Sequence, residues 1–315
     1  MKNKKCDCKQ KGVDFNKIKN ARPILDKKVL RILVHYIKER YKIKLKKEGG
    51  EPKPWTEDKI LQNWRFTNVR REHDTVTKWI IENVCAREID LDTKIYNIIL
   101  CRMYNWIPTF KKIGLPILDF ESTHTIKSAE KTLLKMVKRK EPVFTRAYMV
   151  SGTLNLLTKK VGEIEPKLRP LKAVELWASQ NCFNKSALST PDNFYNELCK
   201  LTGINSFLAY QVFVDCTYIP EFPYSENCFV VAGPGCVNGL NLLFKDLDGL
   251  NFEEALYQLT HLLNKKIDWE RVFVDLPKEE QRMNIMSVEN CLCELSKYMK
   301  IKCSLGRTTR RYKGV

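Results

Sequence analysis

The chain has 315 residues, of which 43% are hydrophobic, so it can bury a sizeable core. Lysine and arginine outnumber aspartate and glutamate by 55 to 37, which gives a formal net charge of +18. Such an excess repels itself unless an anionic partner offsets it, and nucleic acid is the commonest such partner. No apolar run reaches the 18 residues that a membrane-spanning helix needs, so we expect no membrane partner.

The first residues are rich in lysine and lack the apolar stretch of a secretory signal. We expect residues 1–20 to form a mobile basic arm, and residues 21–315 to form a single helical domain with a basic C-terminal tail. The 12 cysteines are scattered, and none shows the two-residue spacing of a zinc knuckle. The sequence therefore predicts a cytoplasmic protein with reduced thiols, no metal and no cofactor.

Periodic apolar residues predict helices along most of the chain. A helix-breaking segment, EGGEPKPW, follows the first long helix, and Thr56 is a candidate N-cap for the next one. The segments with helical periodicity are 23–47, 56–64, 74–85, 90–107, 128–140, 190–201, 206–215, 251–266 and 287–300. Two short strands are predicted, at 144–151 and 268–276. The expected fold is mainly α in one compact body, and a division into two lobes is left open.

Residues 198–215, LCKLTGINSFLAYQVFVD, predict two helices joined by a short hairpin. Gly203 would supply the tight turn, and the positive N-terminus of the second helix would point outward from Asn205. This arrangement resembles a helix-hairpin-helix motif, which binds one DNA phosphate. Gly203 and Asn205 are therefore candidate contacts to the DNA backbone, and an ordinary corner between two helices is the alternative.

Residues 229–240, FVVAGPGCVNGL, place a glycine-rich turn after an apolar run. A Walker loop needs a lysine followed by serine or threonine, whereas Gly239 is followed by a leucine and an asparagine. A dinucleotide-binding loop needs a βαβ frame, which the chain does not show. Gly233 and Gly235 are therefore predicted to face a DNA phosphate or the sugar-phosphate of an extruded nucleotide. The alternative is a plain helix-entry turn.

The hairpin resembles that of helix-hairpin-helix DNA glycosylases, which carry a catalytic carboxylate about twenty residues beyond it. The resemblance implies Glu226 or Asp215 as the carboxylate that stabilises positive charge on the sugar or activates water. Asn227 would orient a water or read a base edge. The resemblance places Phe207 where bifunctional glycosylases hold a Schiff-base lysine. Because that lysine is absent here, the resemblance implies hydrolysis without a lyase step.

Two further stretches carry spaced polar residues. RFTNVRREHDTVTKWI contains Asn68, Arg71 and Asp74, and NCLCELSKY contains Glu294 and Lys297. A separation of three residues allows Arg71 to pair with Asp74, and Glu294 with Lys297, if each stretch is helical. All five are candidate residues for recognition of a base or a sugar-phosphate, with structural ion pairs and packing as the alternatives.

These two stretches, the hairpin and SENCFVVAGPG together resemble the helical-domain family found in phage 5-hydroxymethyluracil DNA kinases. The resemblance covers residues 55–312. That family is related to α-glutamyl/putrescinyl thymine pyrophosphorylases and amino-acid:DNA transferases. It implies a helix-hairpin-helix glycosylase-like fold and a partner that is double-stranded DNA carrying modified pyrimidines, while no protein partner is indicated. The basic tail, with Arg307, Arg310 and Arg311, would then contact the DNA backbone.

Three functions are compatible with these residues. The first is a DNA glycosylase that flips a modified pyrimidine and hydrolyses its N-glycosidic bond, in bacterial defence against phage DNA. The second is a transferase that replaces a pyrophosphoryl group on 5-hydroxymethyluracil with an amino acid or polyamine. The third is a non-catalytic reader of modified DNA or a kinase subunit. Phosphorylation is not carried over from the family, because the chain has no P-loop domain.

Overall fold

The computed structural model describes residues 10–120, 123–145, 151–183 and 185–304. Within them the fold is mainly α, as predicted, with fourteen α-helices and one two-stranded antiparallel sheet. The helices are α1 (Phe15–Asn20), α2 (Lys27–Glu48), α3 (Lys59–Asn63), α4 (Thr75–Ile80), α5 (Leu91–Tyr104), α6 (Ile107–Ile113), α7 (Thr123–Lys138), α8 (Ser151–Val161), α9 (Arg169–Ser179), α10 (Pro191–Lys200), α11 (Ser206–Cys216), α12 (Pro234–Leu243), α13 (Phe252–Lys266) and α14 (Ile285–Lys302). The strands are β1 (Ile24–Leu25) and β2 (Phe244–Asp246), which pair with each other.

The backbone contacts divide the chain into two compact units. Residues 75–228 belong to one, called here the central unit. Residues 11–74 and the segment that begins at Phe229 form the other, called the flanking unit. The basic tail with Arg307, Arg310 and Arg311 lies outside the described residues, as do residues 1–9 of the predicted arm.

Two local predictions are wrong. The stretch 268–276 forms turns, and its aromatic residues Trp269 and Phe273 are buried and stacked on each other, with ring centroids 5.4 Å apart. The N-cap of α3 is Asp58, and the Thr56 hydroxyl instead accepts a hydrogen bond from the Asp58 N–H. Residues 10–20 of the predicted arm include α1, and the mobility of the arm stays a prediction. The other predicted strand, 144–151, lies partly outside the described residues.

The flanking unit is built around α14, which packs against α2, α3, α12 and α13. Two glycines of α12 permit its close approach to α14. A Cβ on Gly239 would lie 2.3 Å from the backbone oxygen of Leu292, and one on Gly235 would lie 3.2 Å from the Cys293 sulfur. The start of the unit is fastened by Glu254 of α13, which accepts hydrogen bonds from the backbone N–H of Asp14 and from Lys17.

The central unit is built around α5, which packs against α9 and α11. Eleven consecutive residues of α5, from Lys94 to Tyr104, are buried. It also contains the predicted hairpin, in which Gly203 adopts a left-handed φ of 89° between α10 and α11. That φ favours glycine because an L side chain is strained there.

The described residues contain no helix that is long and apolar enough to cross a bilayer. Nine of the described cysteines are free, whereas Cys228 is disulfide-bonded, which departs from the expectation that all thiols are reduced. In the described part of the chain, no three or more histidine, cysteine, aspartate or glutamate side chains are grouped so as to hold a metal ion.

Candidate functional site

Three segments that the sequence singled out meet within the flanking unit. They are the loop at 66–74, the glycine-rich turn at 233–235, and one face of α14 from Glu289 to Lys297. The loop is more than 150 residues from the turn along the chain, and the turn is more than 50 residues from Glu289, so their proximity is a product of the fold. We call their polar side chains the α14 cluster: Thr67, Asn68, Arg71, Asp74, Glu289, Asn290, Glu294 and Lys297.

The 66–74 loop is closed by its own polar residues. The Asp74 carboxylate accepts a hydrogen bond from the Asn68 backbone N–H at 2.9 Å and pairs with Arg71 at 3.2 Å. The Asn68 amide donates to the carbonyl of His73 at 2.7 Å. The predicted pairing of Arg71 with Asp74 therefore exists, although the loop holds only a short 3₁₀ turn at Arg71–His73. Asn68 and Asp74 have a structural role in shaping this loop.

Helix α14 holds the loop in place. The Asn290 amide donates to the Asn68 carbonyl at 2.8 Å, and its oxygen accepts from the Thr67 hydroxyl at 3.1 Å. Glu294 accepts a hydrogen bond from the Thr67 N–H at 3.4 Å. Burial raises the pKa of Glu294, while Lys297, 3.5 Å away, acts in the opposite direction. The predicted Glu294–Lys297 pair is thus present and is linked to the loop.

Phe66 and Lys297 complete the outer part of the cluster. The Lys297 ammonium lies 4.3 Å from the centre of the Phe66 ring and also donates to the Arg65 carbonyl. Phe66 in turn packs beside Tyr36 and Tyr298, with ring centroids 5.6 and 6.1 Å away. A lysine held over an aromatic face is stabilised by the ring quadrupole. Lys297 therefore has a fixed position above this aromatic group.

Glu289 is the deepest acid of the cluster, with 8% of its surface exposed. Its carboxylate accepts hydrogen bonds from the Cys293 thiol, at 3.3 Å, and from the backbone N–H of Gly233. Burial raises its pKa to about 7, although these hydrogen bonds and the positive charge of Arg71 all act to lower it. A carboxyl group with this pKa can both accept and release a proton near neutral pH.

The glycine-rich turn is the entry to α12, as in the alternative interpretation. Gly233 is the N-cap, Pro234 is the first helical residue, and the Gly233 N–H already binds Glu289. Gly235 faces Cys293 at close range. The positive end of this helix therefore stabilises a carboxylate of the protein itself. Contacts of Gly233 and Gly235 with a DNA phosphate remain a prediction.

The raised pKa of Glu289 should make the free energy of unfolding depend on pH. In the folded chain Glu289 keeps its proton up to about pH 7, whereas a glutamate with the usual pKa of 4.5 loses its proton at lower pH. The unfolded state thus binds fewer protons between these values, so the free energy of unfolding should fall as the pH rises from about 4.5 to 7. Glu289→Gln should remove this dependence and stabilise the chain by about 1–2 kcal/mol at pH 8. Urea denaturation at pH 5 and pH 8 checks this, and equal pH dependence in both proteins would contradict it.

The two acids predicted to be catalytic lie in the central unit, in different surroundings. Asp215 is fully buried and forms a two-point ion pair with Arg102, whose guanidinium also donates to Thr77. This ion pair gives Asp215 a structural role, and a catalytic role for Asp215 stays a prediction. Glu226 is half-buried and accepts a hydrogen bond from the Tyr218 hydroxyl at 3.0 Å, and Asn227 beside it is exposed.

The hairpin residues also have local partners. A Cβ on Gly203 would lie 3.0 Å from the Leu157 side chain and 3.2 Å from the Thr153 carbonyl, so the glycine is needed for packing on α8. The Asn205 side chain caps α11 by accepting from the Leu208 N–H at 2.8 Å. Contacts of Gly203 and Asn205 with a DNA backbone therefore remain a prediction, while the turn between two helices is present as expected.

Glu289, Asn290 and Thr67 were not identified from the sequence. The signal available was their position: Glu289 stands four residues before Cys293 and so shares a helix face with it. What distinguishes Glu289 is burial against a glycine turn more than fifty residues away, and local spacing does not encode that.

The family described as "5-hmdU DNA kinase, helical domain" matches residues 27–306 of the chain. A curated relative from Bacillus phage SP10, named "5-hmdU DNA kinase", is 23% identical over 265 residues. The aligned region is 79% of this chain and 41% of that relative, so the chain spans less than half of the relative's length. No solved structure matches the chain.

Proposed function

Because the chain belongs to the family of the 5-hmdU DNA kinase helical domain, we propose that it binds DNA containing a 5-hydroxymethyl-type pyrimidine and acts on that pyrimidine's substituent. The formal net charge of +18 supports a DNA partner. The observation that carries the proposal is Glu289, a buried carboxyl with a pKa of about 7 at the meeting point of three motif segments. In this role Glu289 is the proton acceptor of the reaction.

The proposed reaction is substitution at the 5-methylene carbon of a pyrophosphorylated base. The nitrogen of an amino acid or polyamine forms a bond to this carbon, and the carbon–oxygen bond breaks. The electron pair of that bond leaves with pyrophosphate, and the proton from the nitrogen moves to Glu289. Arg71, whose charge acts on Glu289, and Lys297 are suited to bind the phosphate groups of the substrate. Phosphorylation itself is not proposed, because Gly239 is followed by Leu240 and Asn241 instead of the Walker lysine and hydroxyl residue.

Glycosidic cleavage is the second candidate, and the hairpin between α10 and α11 supports it. In that reaction the half-buried Glu226 would stabilise positive charge on the sugar or activate water. A carboxyl with a pKa near 7 is partly protonated at neutral pH, so it is less suited than an ordinary acid to stabilise a cation. That argument favours Glu289 for proton transfer at the substituent. Glu226 is the proposed acid for glycosidic cleavage.

The test uses duplex DNA carrying thymine, 5-hydroxymethyluracil or its pyrophosphorylated form, each with and without a mixture of amino acids and polyamines. Mass spectrometry of the nucleosides detects a new substituent, and alkali cleavage detects lost bases. We expect an amine-dependent product from the pyrophosphorylated DNA only. Free base with alkali-labile sites would instead establish excision, and binding without any product would indicate a reader of modified DNA.

Glu289→Gln should lower the rate of this reaction about 100-fold or more, because a glutamine cannot accept the proton. Binding of the DNA should change little. The matched control is Glu226→Gln, which should leave the substitution unchanged and would abolish excision. A Glu289→Gln protein that retains more than half of the wild-type rate would contradict the assignment of Glu289.

A further inference from the structure

Helix α7 of the central unit carries a row of lysines on its exposed side. Lys127, Lys131, Lys135 and Lys138, called here the lysine stripe, are all exposed. Their spacing of three or four residues places them along one side of the helix. The opposite side of α7 is buried, at Ile126, Ala129, Leu133 and Met136. Arg139 and Lys140 extend the positive charge beyond the end of the helix.

Two acids near the stripe form ion pairs with lysines that lie outside it. Glu130 pairs with Lys172 of α9, and Glu141 pairs with Lys112 of α6. Among the described residues, none of the four lysines of the stripe forms an ion pair. The charge of this helix side is therefore not neutralised within the described part of the chain.

We propose that the lysine stripe is a contact surface for the phosphate backbone of double-stranded DNA. From Lys127 to Lys138 the helix rises about 16 Å, at 1.5 Å per residue. One strand of duplex DNA places a phosphate every 3.4 Å along its axis, so this length lies opposite about four or five phosphates. The number of lysines thus matches the number of phosphates within reach.

An anionic membrane fits the stripe less well than DNA does. A helix that lies in a membrane surface inserts an apolar face between the lipids. The apolar side of α7 is already packed against α6 and α9, and Leu134 is the one large apolar residue of the helix's described exposed side. What α7 offers is a rigid row of charges, which suits a regular polyanion.

The proposal rests on the proposed function in taking DNA as the partner, but its test needs no modified base. Binding of a fluorescent, unmodified duplex is measured by anisotropy between 50 and 200 mM NaCl. Replacing all four lysines by glutamine should weaken binding at least tenfold and lower the slope of log K against log salt by about 3–4 units. Replacing them by arginine keeps the charges and should leave both values close to wild type.

If the glutamine variant keeps its helical circular dichroism and its salt slope is unchanged, the lysine stripe is not a DNA contact surface. DNA binding by other parts of the chain would not be affected by that result. Binding of the wild type to anionic phosphatidylserine vesicles in preference to the duplex would overturn the proposal for the lysine stripe as well. Glu289→Gln serves as the reference for the proposed reaction, because it should bind the plain duplex like the wild type and yet form product about 100-fold more slowly. Absence of the reaction in every protein would therefore count against the proposed function alone.

Discussion

Arg102→Ala is expected to lower the free energy of unfolding by about 3–5 kcal/mol. The substitution would leave the Asp215 carboxylate, which has no exposed surface, without its main partner. It would also remove the hydrogen bond at 2.7 Å from the guanidinium to the Thr77 hydroxyl. A single charge left in an apolar interior costs far more than the pair contributes. This pair joins α5 to α11, so its loss should weaken the core of the central unit.

Urea denaturation followed by circular dichroism measures this effect. Arg87→Ala is the control, because Arg87 is an exposed arginine of the same unit and should change stability by less than about 0.5 kcal/mol. The double variant Arg102→Met, Asp215→Leu removes both charges and should recover much of the loss. A folded double variant that still forms product would also exclude Asp215 as a catalytic carboxylate. A loss below about 1 kcal/mol for Arg102→Ala would contradict the structural role of this pair.

Gly239→Ala is expected to destabilise the flanking unit by about 2 kcal/mol, even though alanine favours helices more than glycine does. The added Cβ would lie 2.3 Å from the backbone oxygen of Leu292, and backbone atoms cannot rotate away. Helix α12 would have to move off α14. Because Gly233 at the start of α12 binds Glu289, this movement should also disturb the pKa of Glu289 and the proposed reaction.

The control for Gly239→Ala is Asn238→Ala, which changes the neighbouring, exposed position of the same helix. It should alter the midpoint of thermal unfolding by no more than about 1–2 °C, whereas Gly239→Ala should lower it by several degrees. If the two variants unfold at the same temperature, the close contact between α12 and α14 is not required.

The longer helices of this protein could be predicted from local pattern, whereas α1, α6, α8, α9 and α12 were not predicted by it. The apolar spacing in α2, α5, α13 and α14 is strong enough to locate each of them within a few residues, because each repeat lies within a few turns of chain. The same reasoning failed at 268–276, where large apolar residues are buried one at a time in turns. Apolar composition alone does not separate a strand from a buried turn.

The candidate site was predicted in part. The pairs Arg71–Asp74 and Glu294–Lys297 follow from a separation of three residues, and both are present. The role of Asp215 could not be predicted, because its partner Arg102 lies 113 residues away.

Glu289 shows the same limit more clearly. Its raised pKa comes from burial beneath a turn that is distant in the chain, and the amino-acid pattern around it is that of an ordinary helix. Helix periodicity is a local property and can be deduced from the chain alone. Burial and long-range charge pairing arise only when distant segments pack, and they determine which of the protein's acids can transfer a proton near neutral pH.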